Sequence, residues 1–223
     1  MYKVIFNFFI VSFLFSQNQF DENGRKNGLW SAKHENGQLK YQGVFSNGKE
    51  IGEFIYYDFS GNMVIRLNYI DSGVNSTAEL FYPNSLLKST GFYKNKLKNG
   101  VWEYYNIKGQ KILQEQYIDG KRNGESIYYY ENGLISESYY YVDDNKHGVS
   151  KIFDKFGVLR KHYYYQNNLF HGLFKCYYSS GDLESVGNYF SGLKDSIWIT
   201  LSKSGDTVQV IDYNHGIEAD KDK

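Results

Sequence analysis

Between residues 20 and 219 the chain alternates aromatic or aliphatic residues with polar ones in short runs, each ending near glycine, asparagine, aspartate or serine. A period of two marks a strand with one buried face, and turn residues at close intervals join such strands into hairpins. Residues 124–147 show the unit: a strand over 125–130, a turn at Glu131-Asn132-Gly133, a returning strand over 134–142 and a second turn. A three-residue loop ending in glycine suits a type I turn with the glycine in the left-handed region and a bulge beside it. That geometry sets apolar partners across the two strands, Tyr57 with Met63, Phe81 with Leu87, Tyr129 with Ile135, Phe153 with Leu159 and Tyr177 with Leu183. Apolar pairs directly opposite one another read as one buried face.

The unit recurs every 24 residues without insertion or deletion. With its first residue as position 0, that position holds Gly28, Gly52, Gly100, Gly124, Gly148 and Gly172, with Ser76 and Ser196 in the two gaps. Position 9 is glycine in every unit except at Ser85, and position 17 is always aromatic: Phe45, Tyr69, Tyr93, Tyr117, Tyr141, Tyr165, Tyr189 and Tyr213. Position 2 carries Trp30, Phe54, Trp102, Phe174 and Trp198, interrupted by Ala78, Ser126 and Ser150. Positions 2 and 5 differ in parity, so either a bulge separates them or both faces carry aromatics. Asn47-Gly48 and Asp119-Gly120, with the following Asn-Gly and His-Gly pairs, read as turn residues. The organisation expected is a partial unit over 17–27, eight units starting at 28, 52, 76, 100, 124, 148, 172 and 196 and reaching 219, and a frayed tail over 220–223. Unit three, with Ser76, Ala78, Pro83 and Ser85, is expected to be the weakest.

The run Asp119-Gly120-Lys121-Arg122-Asn123-Gly124, followed by aromatic pairs and Glu131-Asn132-Gly133, resembles the MORN-repeat variant, and the likeness extends over residues 20–219. The resemblance implies an all-β fold, an elongated single antiparallel sheet of tandem hairpins. Sixteen strands at about 4.8 Å each give a ribbon on the order of 75 Å long, which is expected to curve or twist. Bacterial proteins of this kind often carry the label of antitoxin component, and lipid-headgroup association has been proposed for the family. Both stand as what the resemblance implies.

Composition agrees with strands. The chain has 23 Tyr, 16 Phe and 22 Gly against one Pro, a mixture that favours pleated sheets and tight turns. Lys+Arg and Asp+Glu each number 25 and are interspersed. A phosphate-binding surface needs a cationic excess on one face, so nucleic acid is excluded, and attraction to anionic lipid has little electrostatic support. Cys176 stands alone, so neither an intramolecular disulfide nor a cysteine-based zinc site is available. Its repeat position otherwise holds Ala, Tyr, Leu, Ile or Thr, which makes it a packed side chain.

Residues 1–16 carry one cation, Lys3, ahead of a run over 4–15 in which only Asn7 and Ser12 are polar. This is the pattern of a secretory signal. Twelve helical residues rise about 18 Å, short of a hydrocarbon core of about 30 Å, so a cleaved segment fits better than a membrane span. The protein is therefore expected outside the cytoplasm, in the periplasm, on the cell surface or secreted. Left uncleaved, the same segment would be an anchor. An antitoxin acting on a cytoplasmic toxin has no use for export.

Candidate chemistry is sparse. No GxSxG, HExxH or phosphate-loop motif occurs. His147 and His171 share a repeat position two strands apart, but Asn75, Asn99 and Asn123 hold it elsewhere, which reads as turn chemistry and not as a metal site. His34, His162 and His215 form no pattern. Repeats place like residues in rows and not in converging groups, so no catalytic residue, metal or cofactor is expected, and the protein is read as a non-enzyme. The tyrosine triplets at 128–130, 139–141 and 163–165 are more informative. Consecutive strand residues face opposite ways, so Tyr140 and Tyr164 fall opposite Tyr141 and Tyr165. With Tyr130 and Tyr178 they make a candidate exposed patch, and tyrosine offers large contact area at low entropic cost. The alternative is that stacked tyrosines stiffen a single-layer sheet. The function expected is a scaffold recruiting a protein partner. A second reading is binding of carbohydrate or cell-envelope polymer along an aromatic ladder, and a third is the antitoxin-like role.

Overall fold

The computed structural model describes residues 17–219. The expected export segment and the tail after Ala219 lie outside the described residues. Among those residues there is no helix. Sixteen strands of six to nine residues, from Lys26–Lys33 to Thr207–Asn214, run antiparallel to their sequence neighbours in one open sheet. Four two-residue segments, Gln19–Phe20, Asn145–Lys146, Leu169–Phe170 and Ile217–Glu218, extend it.

Each hairpin closes as the glycines predict. The Asp58 N–H donates to the Asn62 carbonyl at 2.9 Å, the Gly61 N–H donates to the Asp58 carbonyl at 3.0 Å, and Gly61 has φ +85°. Pairing runs from Gly52↔Tyr69 to Tyr56↔Ile65, then skips Val64 to reach Tyr57↔Met63. The same one-residue bulge yields Phe81↔Leu87, Tyr129↔Ile135, Phe153↔Leu159 and Tyr177↔Leu183. Except between Asp71 and Asn75, the second turn is a two-residue loop with both residues at positive φ, as in Asn47 (+52°) and Gly48 (+80°). Such a turn matches the right-handed twist of the strands it joins.

The Asn-Gly and His-Gly pairs are not part of that turn, which corrects the turn reading. Ile51 pairs with Val44 and Phe54 with Gly43, so Gly52 and Glu53 lie between them unpaired on that side. Gly52 has φ +61°, and Gly124 (+116°) and Gly148 (+82°) occupy the corresponding bulges. Extra residues there increase the twist between units, and a residue without Cβ takes the left-handed conformation at least cost. Ser196 adopts it at +58°. Ser76 instead pairs regularly with Tyr69, and the left-handed residue moves to Gly73 (+76°).

Alternation divides the side chains between two faces. Positions 2, 4, 13, 15 and 17 share one, and Trp30, Phe45, Phe54, Trp102, Tyr141, Tyr163 and Trp198 are buried there. Rings at positions 17 and 2 meet edge to face, Phe45 on Phe54 at 5.2 Å and Tyr93 on Trp102 at 4.9 Å between centroids. Cations at position 22 lie over the rings: Lys98 is 4.5 Å from the Trp102 centroid, Arg122 4.2 Å from Tyr141 and Lys194 4.5 Å from Trp198. Position 5 belongs to the other face, where the Tyr105 hydroxyl donates to Glu103 Oε2 at 2.8 Å and Lys111 pairs with Glu103 at 3.0 Å. Both faces thus carry aromatics. The pairs of the Tyr57/Met63 type have the expected register but lie opposite the main core, because the bulge interrupts only the returning strand and the first strand keeps its parity.

Packing between units follows a size rule. Gly43, Gly91 and Gly187 at position 15 lie under Phe54, Trp102 and Trp198 of the next unit, and a Cβ on any of these glycines would overlap the ring. Where the next unit has no ring, position 15 is filled: Leu67 pairs with Ala78, Glu115 with Ser126, and Tyr139 precedes Ser150 on the same grid. Aromatic rings covering strand glycines is a known way of compensating for the missing side chain. Tyr163 and Phe174 break the rule by both being large, and their rings tilt against each other at 5.5 Å. In unit three the absent ring leaves a concavity of about 240 Å³ bordered by Leu67, Tyr69, Ser76 and Tyr93.

Candidate binding surface

The face opposite the core carries positions 1, 3, 14 and 16. Tyr140 pairs with Glu125, and Tyr164 with Val149. The inter-unit bulges hold both tyrosines from behind: the His147 N–H donates to the Tyr140 carbonyl at 2.8 Å and the His171 N–H to the Tyr164 carbonyl at 2.9 Å. Gly148 packs 3.7 Å from the Tyr140 Cβ, measured from where its own Cβ would be. Tyr140 is 44% exposed, whereas Tyr141 beside it is 4% exposed. Tyr140, Val149, Tyr164, Glu125 and Lys151 line one shallow groove of about 800 Å³.

Tyr130 and Tyr178 are placed elsewhere. Each stands at the start of a hairpin turn and donates its hydroxyl across to the next unit, Tyr130 to the Phe153 carbonyl at 2.8 Å and Tyr178 to the Leu201 carbonyl at 2.7 Å. Tyr82 does the same to Tyr105 at 2.9 Å, and His34 Nε2 meets the Tyr57 carbonyl at 2.9 Å. In the intervening units the same position holds Asp58, Asn106, Asp154 and Ser202, whose side chains accept from backbone N–H groups of their own turns. The turn rim therefore repeats every two units, tie then cap. The alternation of ring and short polar residue at position 6 is visible in the sequence once the grid is laid out.

The middle row of this face, positions 3 and 14, changes character along the sheet. In units two to four its charges are compensated: Arg66 contacts Glu79 at 3.0 Å and Glu53 at 3.3 Å, and Glu103 contacts Lys111. Further along, Lys151 pairs with His162, and His162 with Lys175, on three successive strands. Burial first, then the two lysines, hold the His162 pKa below its ordinary 6.5. The buried Nδ1 of His162 has no hydrogen-bond partner. The row is hidden in the sequence, because its members are 11 and 13 residues apart and meet only through the strand register.

The remaining histidines and the cysteine have local roles. The His147 ring lies edge-on to Tyr164 at 6.3 Å, and His171 lies against Phe190 at 5.3 Å. The half-buried Cys176 thiol donates to Glu184 at 3.4 Å, and burial together with that carboxylate pushes its pKa up, which keeps it protonated. Among the described residues no group of three or more His, Cys, Asp or Glu could hold a metal ion.

A sheet of this kind, one layer thick and built from tandem hairpins, works through its faces and edges. The class is that of β-hairpin repeat proteins. The model of the MORN repeat variant matches residues 26–47, 122–143, 146–167 and 170–190. These four segments are MORN-variant repeats, and the stretches between them carry the same glycine and aromatic grid. Repeats of this type commonly form scaffolds that bind proteins or membranes. No curated protein matches the chain.

Proposed function

We propose that the protein is a non-catalytic scaffold that binds a protein partner on the face opposite its ring-packed core, centred on the groove between Tyr140 and Tyr164. The observation behind this reading is the division of the tyrosine triplets: Tyr141 is buried, while Tyr140 stands exposed at the groove. A ring left exposed at a groove beside a second one is suited to a partner surface. The apolar run over residues 4–15 further supports a place of action outside the cytoplasm. The test is an affinity capture from envelope and cytoplasmic fractions of the source organism, using the chain from Gln17 onward and its Tyr140→Ala/Tyr164→Ala variant. A protein that the wild type retains, the folded variant loses, and the purified pair reproduces supports the proposal. Equal retention by both sinks it. Competition by soluble glycans in place of a protein would favour the carbohydrate reading.

A further inference from the structure

We propose that Lys151, His162 and Lys175 form a recognition row for an acidic segment of that partner; this rests on the scaffold reading above. The three residues are direct cross-strand partners on consecutive strands. Strands lie about 4.8 Å apart, so the two lysines are anchored about 10 Å apart with the imidazole between them. Two like charges about 10 Å apart with no carboxylate between them repel each other. Units two to four avoid that cost on this row through the Arg66–Glu79 and Lys111–Glu103 pairs. Units six and seven do not: neither Lys151 nor Lys175 forms an ion pair with any carboxylate of the described residues. The unpartnered Nδ1 of His162 sits in the middle of the row.

The surroundings suit a polypeptide. Lys151 also lines the groove of Tyr140 and Tyr164, so the row and the rings form one continuous surface. On the other side the row is bordered by Phe153↔Leu159 and Tyr177↔Leu183. A row of positive charge between apolar borders matches an acidic segment interspersed with apolar side chains, laid across the strands. Glu125, the one carboxylate lining the groove, is at the end away from Lys175 and orients such a segment with its acidic part toward Lys175.

The test uses fluorescence anisotropy with labelled hexaglutamate as probe and hexaglutamine as control. The wild-type protein is expected to bind hexaglutamate, not hexaglutamine, and to release it as salt rises. Lys151→Gln/Lys175→Gln is expected to weaken hexaglutamate binding about tenfold. Because the substitution removes like-charge repulsion, the free variant should melt at the same or a higher temperature, which a merely structural role for the lysines would reverse. Equal binding by the variant, equal binding of hexaglutamine, or binding of phosphatidylglycerol vesicles without binding of hexaglutamate overturns the proposal. A partner captured through Tyr140 and Tyr164 but indifferent to Lys151→Gln/Lys175→Gln also overturns it, while leaving the scaffold reading in place.

Discussion

The complementarity between position 15 and the next unit's position 2 makes a quantitative prediction at Gly91 and Trp102. Trp102 is fully buried and its ring covers the Gly91 backbone, so a side chain at 91 has no room. Gly91→Leu should therefore destabilise by about 1–3 kcal/mol through overpacking, reduced by the about 0.5–1 kcal/mol that a strand regains on losing a glycine. Trp102→Ala should cost about 3–5 kcal/mol, the range for deleting a large buried aromatic. The double variant reproduces the natural Leu67–Ala78 pair, in which a leucine takes up part of the space left by the missing ring and the rest stays open as the concavity beside Leu67. It should recover about 2 kcal/mol relative to the sum of the single changes, well above the about 0.3–0.5 kcal/mol scatter of independent sites. Urea unfolding of the four proteins closes the cycle. Additivity within that scatter would refute the size rule and leave the glycines as backbone features only.

Further expectations concern single sites. The buried Ser150 Oγ has no partner, so Ser150→Ala should stabilise by about 1 kcal/mol in the same assay, and a loss of stability would indicate an overlooked partner. Tyr130→Phe removes the hydrogen bond to the Phe153 carbonyl and should cost about 0.5–1.5 kcal/mol while leaving partner capture unchanged, because that hydroxyl ties turns together. Reduced capture would return Tyr130 to the binding surface. His162 has a folded pKa below the unfolded 6.5, so below that value the unfolded chain takes up the proton first, and stability falls as pH drops through the window between the two. His162→Gln should flatten this part of the stability–pH curve relative to wild type. Identical slopes would show that neither burial nor the lysines depress the imidazole pKa.

Much of the fold was legible because each of its turns needs a particular backbone. Gly61 at φ +85° and Asn47-Gly48 with both residues left-handed are chemical requirements, and the sequence displays them on a fixed grid. The Tyr57↔Met63 register followed from the length of the loop alone. The face assignment did not follow, because parity along a strand is read relative to bulges, and the bulge at Gly52 looks like a turn until its neighbours' partners are known. Tyr140 and Tyr164 could be placed opposite Tyr141 and Tyr165 by simple alternation. Tyr130 and Tyr178 could not, since their hydroxyls meet carbonyls 23 residues away on the next turn. The basic row was hidden for a related reason: Lys151, His162 and Lys175 are neighbours only across strands.

The two-faced sheet is tested most directly by tyrosine nitration of the native protein, followed by peptide mapping. Tyr140 should be modified while its chain neighbour Tyr141 stays protected, in line with their 44% and 4% exposure. Modification of Tyr141 as fast as Tyr140 would contradict the division into a packed face and an open one, and with it the placing of the binding surface.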